Sequence, residues 1–497
     1  MATQSMILES KTNSNGLENS KAQYRTAFIV ITSLFFMWGF ITVLNDILIP
    51  FLKKMFELNR FQSMLVQFTF FGAYFVGSLI YFIISVFFGD PMSKMGYKNG
   101  LILGLIISAI ACAGFYPAAI VKQYGFFLTM LFILGIGFTL LQIAANPYVA
   151  LLGDPKTASS RLNLSQAFNS FGTTIAPIIG GYLVFHFFTK TTPEGALLNS
   201  TGLPITTDTG LFMTAYGVQI PYLIFASIFL FLAFIIKITP LPTFVSHEQI
   251  EKGIGALRYA HLVLGMIAIF VYVGAEVSIG SLFINYAKEI ANMPEIKAKS
   301  FLAFYWGGAM IGRFLGAISL GNNSTKVSMY IKMVFASLTA FIIVYAIVYI
   351  ESLKSKETFL FVNIAPFIIF LILQYIGFII GKSSASKTLT IFSLIVVLLL
   401  VIGMSSKGMI ALWSILGIGL FNSIMWSNIF TLAIEDLGQH TSQGSSLLVM
   451  MILGGALIPL LQGKVADIMH GYHYSFFIPI ICYLYLMYYG LKGHKHY

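Results

Sequence analysis

The chain has 497 residues, of which 58% are hydrophobic and only 9% are charged. A soluble domain carries about 25% charged residues, so most of the surface of this chain must face lipid and not water. The net charge of +11 does not indicate nucleic acid. The basic residues sit in short loops and tails between apolar runs, as membrane orientation requires.

Residues 1–24 are polar and rich in Ser, Asn and Lys, with no signal-peptide pattern. They read as a disordered cytoplasmic tail. A membrane span needs ~20 apolar residues. Runs of that kind lie near 26–50, 61–88, 99–121, 124–152, 165–188, 218–238, 260–287, 300–320, 327–350, 358–381, 388–405, 408–434, 442–468 and 474–491. They are continuous, not alternating, which excludes a β-barrel. The sequence therefore predicts an all-α polytopic membrane protein with about fourteen spans. An even count puts both termini on one side. Lys94, Lys98, Lys156, Arg161, Lys252, Arg258, Lys382, Lys387, Lys492 and Lys495 assign that side to the cytoplasm, although Lys53, Lys54, Arg60, Lys122, Lys354, Lys356 and Lys407 fall opposite. The polar stretch 239–259 reads as a cytoplasmic linker between a first bundle, 25–238, and a second, 260–491, with a short cytoplasmic tail at 492–497. The longest outside loop, 189–217, is rich in Thr, Gly and Pro.

The two halves resemble each other. An offset of 282 maps Gly135 and Gly137 onto Gly417 and Gly419, Asn146 onto Asn428, Gly172 onto Gly454, Pro177 onto Pro459 and Gly181 onto Gly463. Earlier, Gly72 and Gly77 fall on Gly307 and Gly312 at 235, and Phe40 and Asp46 on Phe270 and Glu276 at 230. Repeats of this kind are common in secondary transporters. The jump in offset leaves room for two added helices within about 327–405, giving six plus six core helices and two more. Those added helices contain few polar groups and are expected to pack peripherally.

Polar residues inside apolar runs are the candidates for function. A charge at membrane depth costs ~2.5–3.5 kcal/mol even on the milder scale. Protonation relieves that cost, so Asp46 is a candidate for cation coupling; the competing reading is a hydrated carboxylate at the outer interface. Glu276 is the second membrane carboxylate, and Arg313 could pair with it, gate the path or snorkel. Asn45, Gln67, Gln142, Asn146, Gln166, Asn169 and Asn422 offer the donors and acceptors that suit sugar hydroxyls. Asn428 and Gln462 carry the same chemistry. Helix–helix hydrogen bonding is the plainer role for any one of these amides. Gln142 and Asn146 share one helix face, as do Gln166 and Asn169. Trp38, Trp306 and Trp426 could stack on a sugar or anchor at the interface; Trp38 is assigned with Arg313 to gating or structure. Cys112 and Cys482 form no metal or redox motif. The histidines show no metal-ligand spacing, and no phosphate-binding loop is present for ATP-driven pumping. No catalytic residue, metal or cofactor is assigned, and an integral membrane enzyme is disfavoured because the loops are short and plain.

Several segments resemble the fucose/glucose–galactose permeases of the major facilitator superfamily. They are Phe35-Phe36-Met37-Trp38-Gly39-Phe40 through Asn45-Asp46-Ile47-Leu48-Ile49-Pro50, Phe70-Phe71-Gly72-Ala73-Tyr74-Phe75, Gln142-Ile143-Ala144-Ala145-Asn146-Pro147-Tyr148 and Arg161-Leu162-Asn163-Leu164-Ser165-Gln166. In the second half, Tyr272-Val273-Gly274-Ala275-Glu276-Val277, Tyr305-Trp306-Gly307-Gly308 through Gly312-Arg313-Phe314, and Gly419-Leu420-Phe421-Asn422-Ser423 are similar to the glucose/galactose branch. The resemblance implies a major facilitator fold of two six-helix bundles in a bacterial inner membrane. It also implies sugar uptake by cation symport, with alternating access; the expected partners are a monosaccharide and membrane lipid, and a monomer is the expected working unit. Asp46 matches the family's protonatable aspartate; Gln166 and Asn169 match cavity positions of the fucose permease. Gln142 replaces that permease's second acid, which leaves the coupling ion as proton or sodium. Met425-Trp426-Ser427-Asn428-Ile429-Phe430 departs from the usual pattern, which bears on sugar identity. The expected function is hexose uptake. A fucose or other monosaccharide permease, or a non-transporting sugar sensor on the same scaffold, is the alternative.

Overall fold

A computed structural model describes residues 14–495 apart from 200–201, 208–209, 243–251, 323–324 and 355–358. Some side chains inside helices, those of Asn45 and Asp46 among them, lie outside the description. Thirteen described helices are long and apolar enough to cross a membrane, and a shorter apolar helix accompanies them. The first half contains α1 (Ser14–Phe56), α2 (Arg60–Phe88), α3 (Pro91–Val121), α4 (Tyr124–Leu151), α5 (Ala158–Tyr182) and α6 (Tyr216–Ile238). The second contains α7 (Ala260–Ala291), α8 (Glu295–Ser319), α9 (Lys326–Lys354), the short α10 (Phe367–Gly381) and α11 (Ala385–Ser405). Then follow α12 (Gly408–Asn422), α13 (Met425–Ala433), α14 (Thr441–Met450), α15 (Gly454–Ile468) and α16 (Phe477–Tyr488).

Helix α1 departs from the expected tail at 1–24, because the helix already starts at Ser14. It contains strong helix formers such as Leu17, Glu18, Lys21 and Ala22, which favour that extension. Local signals set other helix ends. Asn59 and Gln62 form a reciprocal capping box at the start of α2, with bonds of 3.0 and 2.8 Å. Asp90 caps α3 through the Ser93 amide at 2.8 Å, and Pro91 opens the helix. Gly96, at φ 79°, makes the turn inside the basic Lys94–Lys98 segment.

The chain divides into two compact units: Met1–Tyr148 with Phe171–Gly253, and Val149–Ser170 with Ile254–Tyr497. In the first, α3 packs along α6, and the ends of the linker region are tied down. Lys98 donates to Thr239 O (2.8 Å), Tyr148 to Pro242 O (2.9 Å) and Gly253 N to Val86 O (2.9 Å). The 189–217 loop is pinned by antiparallel bridges such as Lys190 to Phe212.

In the second unit, α11 packs along α16 as α3 does along α6. That match makes α11 the third core helix of its half and leaves α9 and α10 as the inserted pair. Glycine contacts support the same register. A Cβ on Gly172 would lie 2.3 Å from Phe36 O on α1, and one on Gly454 would lie 2.0 Å from Phe270 O on α7. Each half thus brings its fifth core helix against its first at backbone distance, which only glycine permits. Around these contacts the outward side chains are Ile, Leu and Phe, many of them more exposed than 40%, as a lipid-facing surface requires. Cys112 and Cys482 are buried packing residues.

Candidate functional site

In the first unit, Trp38, Tyr74 and Gln142 link α1, α2 and α4. The Trp38 indole donates to the Tyr74 hydroxyl at 3.3 Å, and that hydroxyl is also hydrogen-bonded to the Gln142 side chain. Rings of Phe35 and Phe138 surround Trp38 at 5.5 and 6.5 Å. Trp38 is therefore held in the interior by one hydrogen bond and two ring contacts. One turn beyond Gln142, Asn146 is fully buried, and neither atom of its amide has a partner among the described residues. Unmatched buried amides are rare and costly, and other buried groups share this state, Gln374 Oε1 and Trp426 Nε1 among them. Gln67 lies exposed on α2. Asn45 and Asp46 fall on α1, with their side chains outside the described residues. The helix runs on to Phe56, so Asp46 sits about 15 Å before its end.

The second unit holds a denser network. The Tyr272 hydroxyl meets the Glu276 carboxylate one turn along α7 and donates to Asn422 O at 3.2 Å. Tyr305, on α8, donates to Glu276 O at 3.0 Å. Asn422 donates to the Tyr305 hydroxyl at 2.9 Å and accepts from Tyr483 of α16 at 2.7 Å. Glu276 is 9% exposed and Asn422 is 1% exposed. Arg313 is half-buried; its Nε donates to Ser423 O at 3.2 Å and its Nη1 to Ser170 Oγ. It is thus engaged in the interior and does not snorkel. Gln166, buried, and Asn169, half-buried, lie in the Val149–Ser170 segment of this unit. There Arg161 secures the end of α4 through Val149 O (3.0 Å) and Ala150 O (2.6 Å). The candidates Glu276, Arg313 and Asn422 thus meet in one network. Trp306 does not join their polar bonds: its ring lies edge-on to Tyr305 at 5.1 Å and is 41% exposed.

Other amides serve helix packing. Gln462 accepts from Ser278 and donates to Ser475 at 3.1 Å; Asn428 accepts from Asn163 at 3.2 Å and donates to Ala385 O at 3.1 Å. Tyr272, Tyr305 and Tyr483 were not among the sequence candidates. Tyr272 stands four residues before Glu276, a spacing that places both on one face and could have marked it. Two cavities of about 550 and 330 Å³ also open in this unit, the larger among Phe301, Phe370 and Trp413, the smaller between Lys326 and Lys382. Neither is lined by a residue of the polar network. Among the described residues no His, Cys, Asp and Glu group is arranged to hold a metal.

Two compact units of apolar helices, each with buried polar groups, fit a membrane transporter of the major facilitator class. No family model matches the chain. The chain is 42% identical over 482 residues to a glucose/galactose transporter of Brucella abortus, covering 96% of each. It is 30% identical to the L-fucose-proton symporter of Escherichia coli, over 93% of this chain and 91% of that one. Its fold matches the structure of the major facilitator transporter FucP in the outward conformation with a TM-score of 0.69, at 28% identity over 95% of this chain and 99% of that one. The chain belongs to the sugar:cation symporter family of the major facilitator superfamily.

Proposed function

We propose that this protein takes up a hexose, glucose or galactose in kind, by cation symport through alternating access. The observation that carries this reading is the 42% identity, over 96% of both chains, to a transporter described as acting on glucose and galactose. The buried amides of Gln142, Asn146, Gln166 and Asn422 support it, because a sugar presents both donors and acceptors. In this reading Asp46 carries the coupling cation, proton or sodium. Gln142, Asn146, Gln166 and Asn169 contact the sugar, and Glu276 and Asn422 contribute from the tyrosine-lined network. Both termini face the cytoplasm, bundles 25–238 and 260–491 alternate about the 239–259 linker, and the monomer is the working unit.

The test is uptake of labelled glucose, galactose and L-fucose into proteoliposomes under imposed proton or sodium gradients. Accumulation of glucose or galactose is expected. Accumulation of L-fucose alone would favour the second reading, a fucose permease, which the similarity to the Escherichia coli symporter keeps in view. Sugar binding with no flux would favour a sensor. The Asp46→Asn variant is expected to lose gradient-driven accumulation while keeping sugar exchange; full accumulation by it would remove Asp46 from the coupling role.

A further inference from the structure

The path from α12 into α13 is irregular at Ser423 and Ile424, yet no glycine or proline lies there. The irregularity is mild, since both residues keep right-handed helical angles (φ −47°, ψ −46° and φ −95°, ψ −7°), and inserted side chains are one cause of such departures. Backbone groups released inside a membrane must also find partners within the protein. Here the partners are identifiable. Asn422 O accepts from Tyr272 at 3.2 Å, and Ser423 O accepts from Arg313 at 3.2 Å. Leu420 O accepts from Ser423 Oγ at 2.6 Å and from the amide of Gln374.

Gln374 stands apart from the other donors because it belongs to α10, one of the two inserted helices. Its outer face is apolar and exposed, with Ile369, Ile372, Ile376 and Ile380. Its inner face carries Phe367, Phe370, Gln374, Gly377 and Phe378. Phe370 fills the space beside Gly417 of α12, where a Cβ would meet its ring at 2.4 Å. Gln374 is completely buried and reaches past Gly312, whose missing Cβ leaves room for the amide. A helix that merely packed could place Leu or Met there. An amide buried among apolar residues is costly unless it bonds; here the nitrogen donates to the Leu420 carbonyl, while Oε1 has no partner among the described residues.

We propose that Gln374 is a positioning residue for sugar binding, a splint from the inserted helix that fixes the α12–α13 junction and with it Asn422. The inference rests on the proposed function in one respect, that Asn422 belongs to the sugar site. Gln374 acts through the Leu420 carbonyl and the Ser423 hydroxyl, the latter at 3.4 Å. It need not touch substrate.

The test compares full-length wild type with Gln374→Met, which keeps length and loses the donors, and with Ile376→Ala on the exposed face of the same helix. Three readings are taken: hydrogen–deuterium exchange of peptides covering 420–428, melting temperature, and KM and maximal rate for labelled glucose and galactose. Gln374→Met is expected to exchange faster at 420–428 and to raise KM about tenfold, the size of one net hydrogen bond, with maximal rate little changed. Ile376→Ala is expected to leave all three readings unchanged. A folded Gln374→Met with wild-type exchange and KM overturns the proposal. So does one that only melts earlier, which would make Gln374 a packing residue. Should wild type carry neither sugar, the hexose reading fails, and the exchange comparison alone decides whether the splint exists.

Discussion

Helix α4 and the α12–α13 pair hold matching places in the two halves and are built in opposite ways. Helix α4 runs unbroken from Tyr124 to Leu151 although Pro147 lies inside it. The second-half path turns irregular after Asn422 although no proline is there. Two asparagines on these helices also differ, although the repeat pairs Asn146 with Asn428 and not with Asn422. Asn146 is buried with its amide unmatched, whereas Asn422 is bonded on both sides by Tyr305 and Tyr483. The amide of Asn422 is spent on its two tyrosines, whereas that of Asn146 is open in a regular helix; the second unit has unmatched groups of its own, Gln374 Oε1 and Trp426 Nε1 among them.

Substitutions can break or sharpen this contrast. The largest effect is expected where the halves are alike. Gly172→Ala and Gly454→Ala would each place a Cβ within 2.3 Å of a backbone oxygen, and both should lose folded yield in size-exclusion chromatography. A normal peak from either would mean that the close approach is not shared. Next comes Asn422→Ala, which strands the Tyr483 hydroxyl at about 1–3 kcal/mol and removes one of the two bonds of Tyr305; melting temperature and uptake should both fall. Asn146→Ala should separate them: melting temperature equal to wild type or higher, with sugar affinity weakened about tenfold by loss of one hydrogen bond. A clear loss of stability there would show that Asn146 has a structural partner. The smallest effect belongs to Trp38→Phe, which removes one 3.3 Å bond and about 1 kcal/mol. Its uptake should stay close to wild type, and a severe defect would move Trp38 from structure to gating.

Much of this was legible in the sequence. Continuous apolar runs gave the spans, because lipid tolerates little else. Glycines at constant offsets gave the repeat, because Gly172 and Gly454 meet backbone and not side chains. The irregularity at Ser423 was not legible, since the side chains that bond its carbonyls come from α7, α8 and α10, distant in sequence. Gln374 was hidden for a related reason. A single amide in an apolar run looks incidental, and the inserted pair was expected to be peripheral. Helix α9 fits that expectation, with 22% of its span buried against 83% for α12–α13; α10, whose inner face reaches Leu420, does not. The tyrosines escaped notice because a ring in a membrane helix announces packing before hydrogen bonding.

Helix α10 is also short. Its 15 residues extend about 22 Å, against a hydrocarbon thickness of ~30 Å. Lipid beside it must thin, or the irregular apolar stretch before Pro366 must be submerged. Either response to hydrophobic mismatch costs a fraction of a kcal/mol per Å and bears directly on α10. Because Gln374 bonds α10 to Leu420, a change of bilayer thickness that tilts or shifts α10 would be felt at the Leu420 carbonyl, deep inside the second unit.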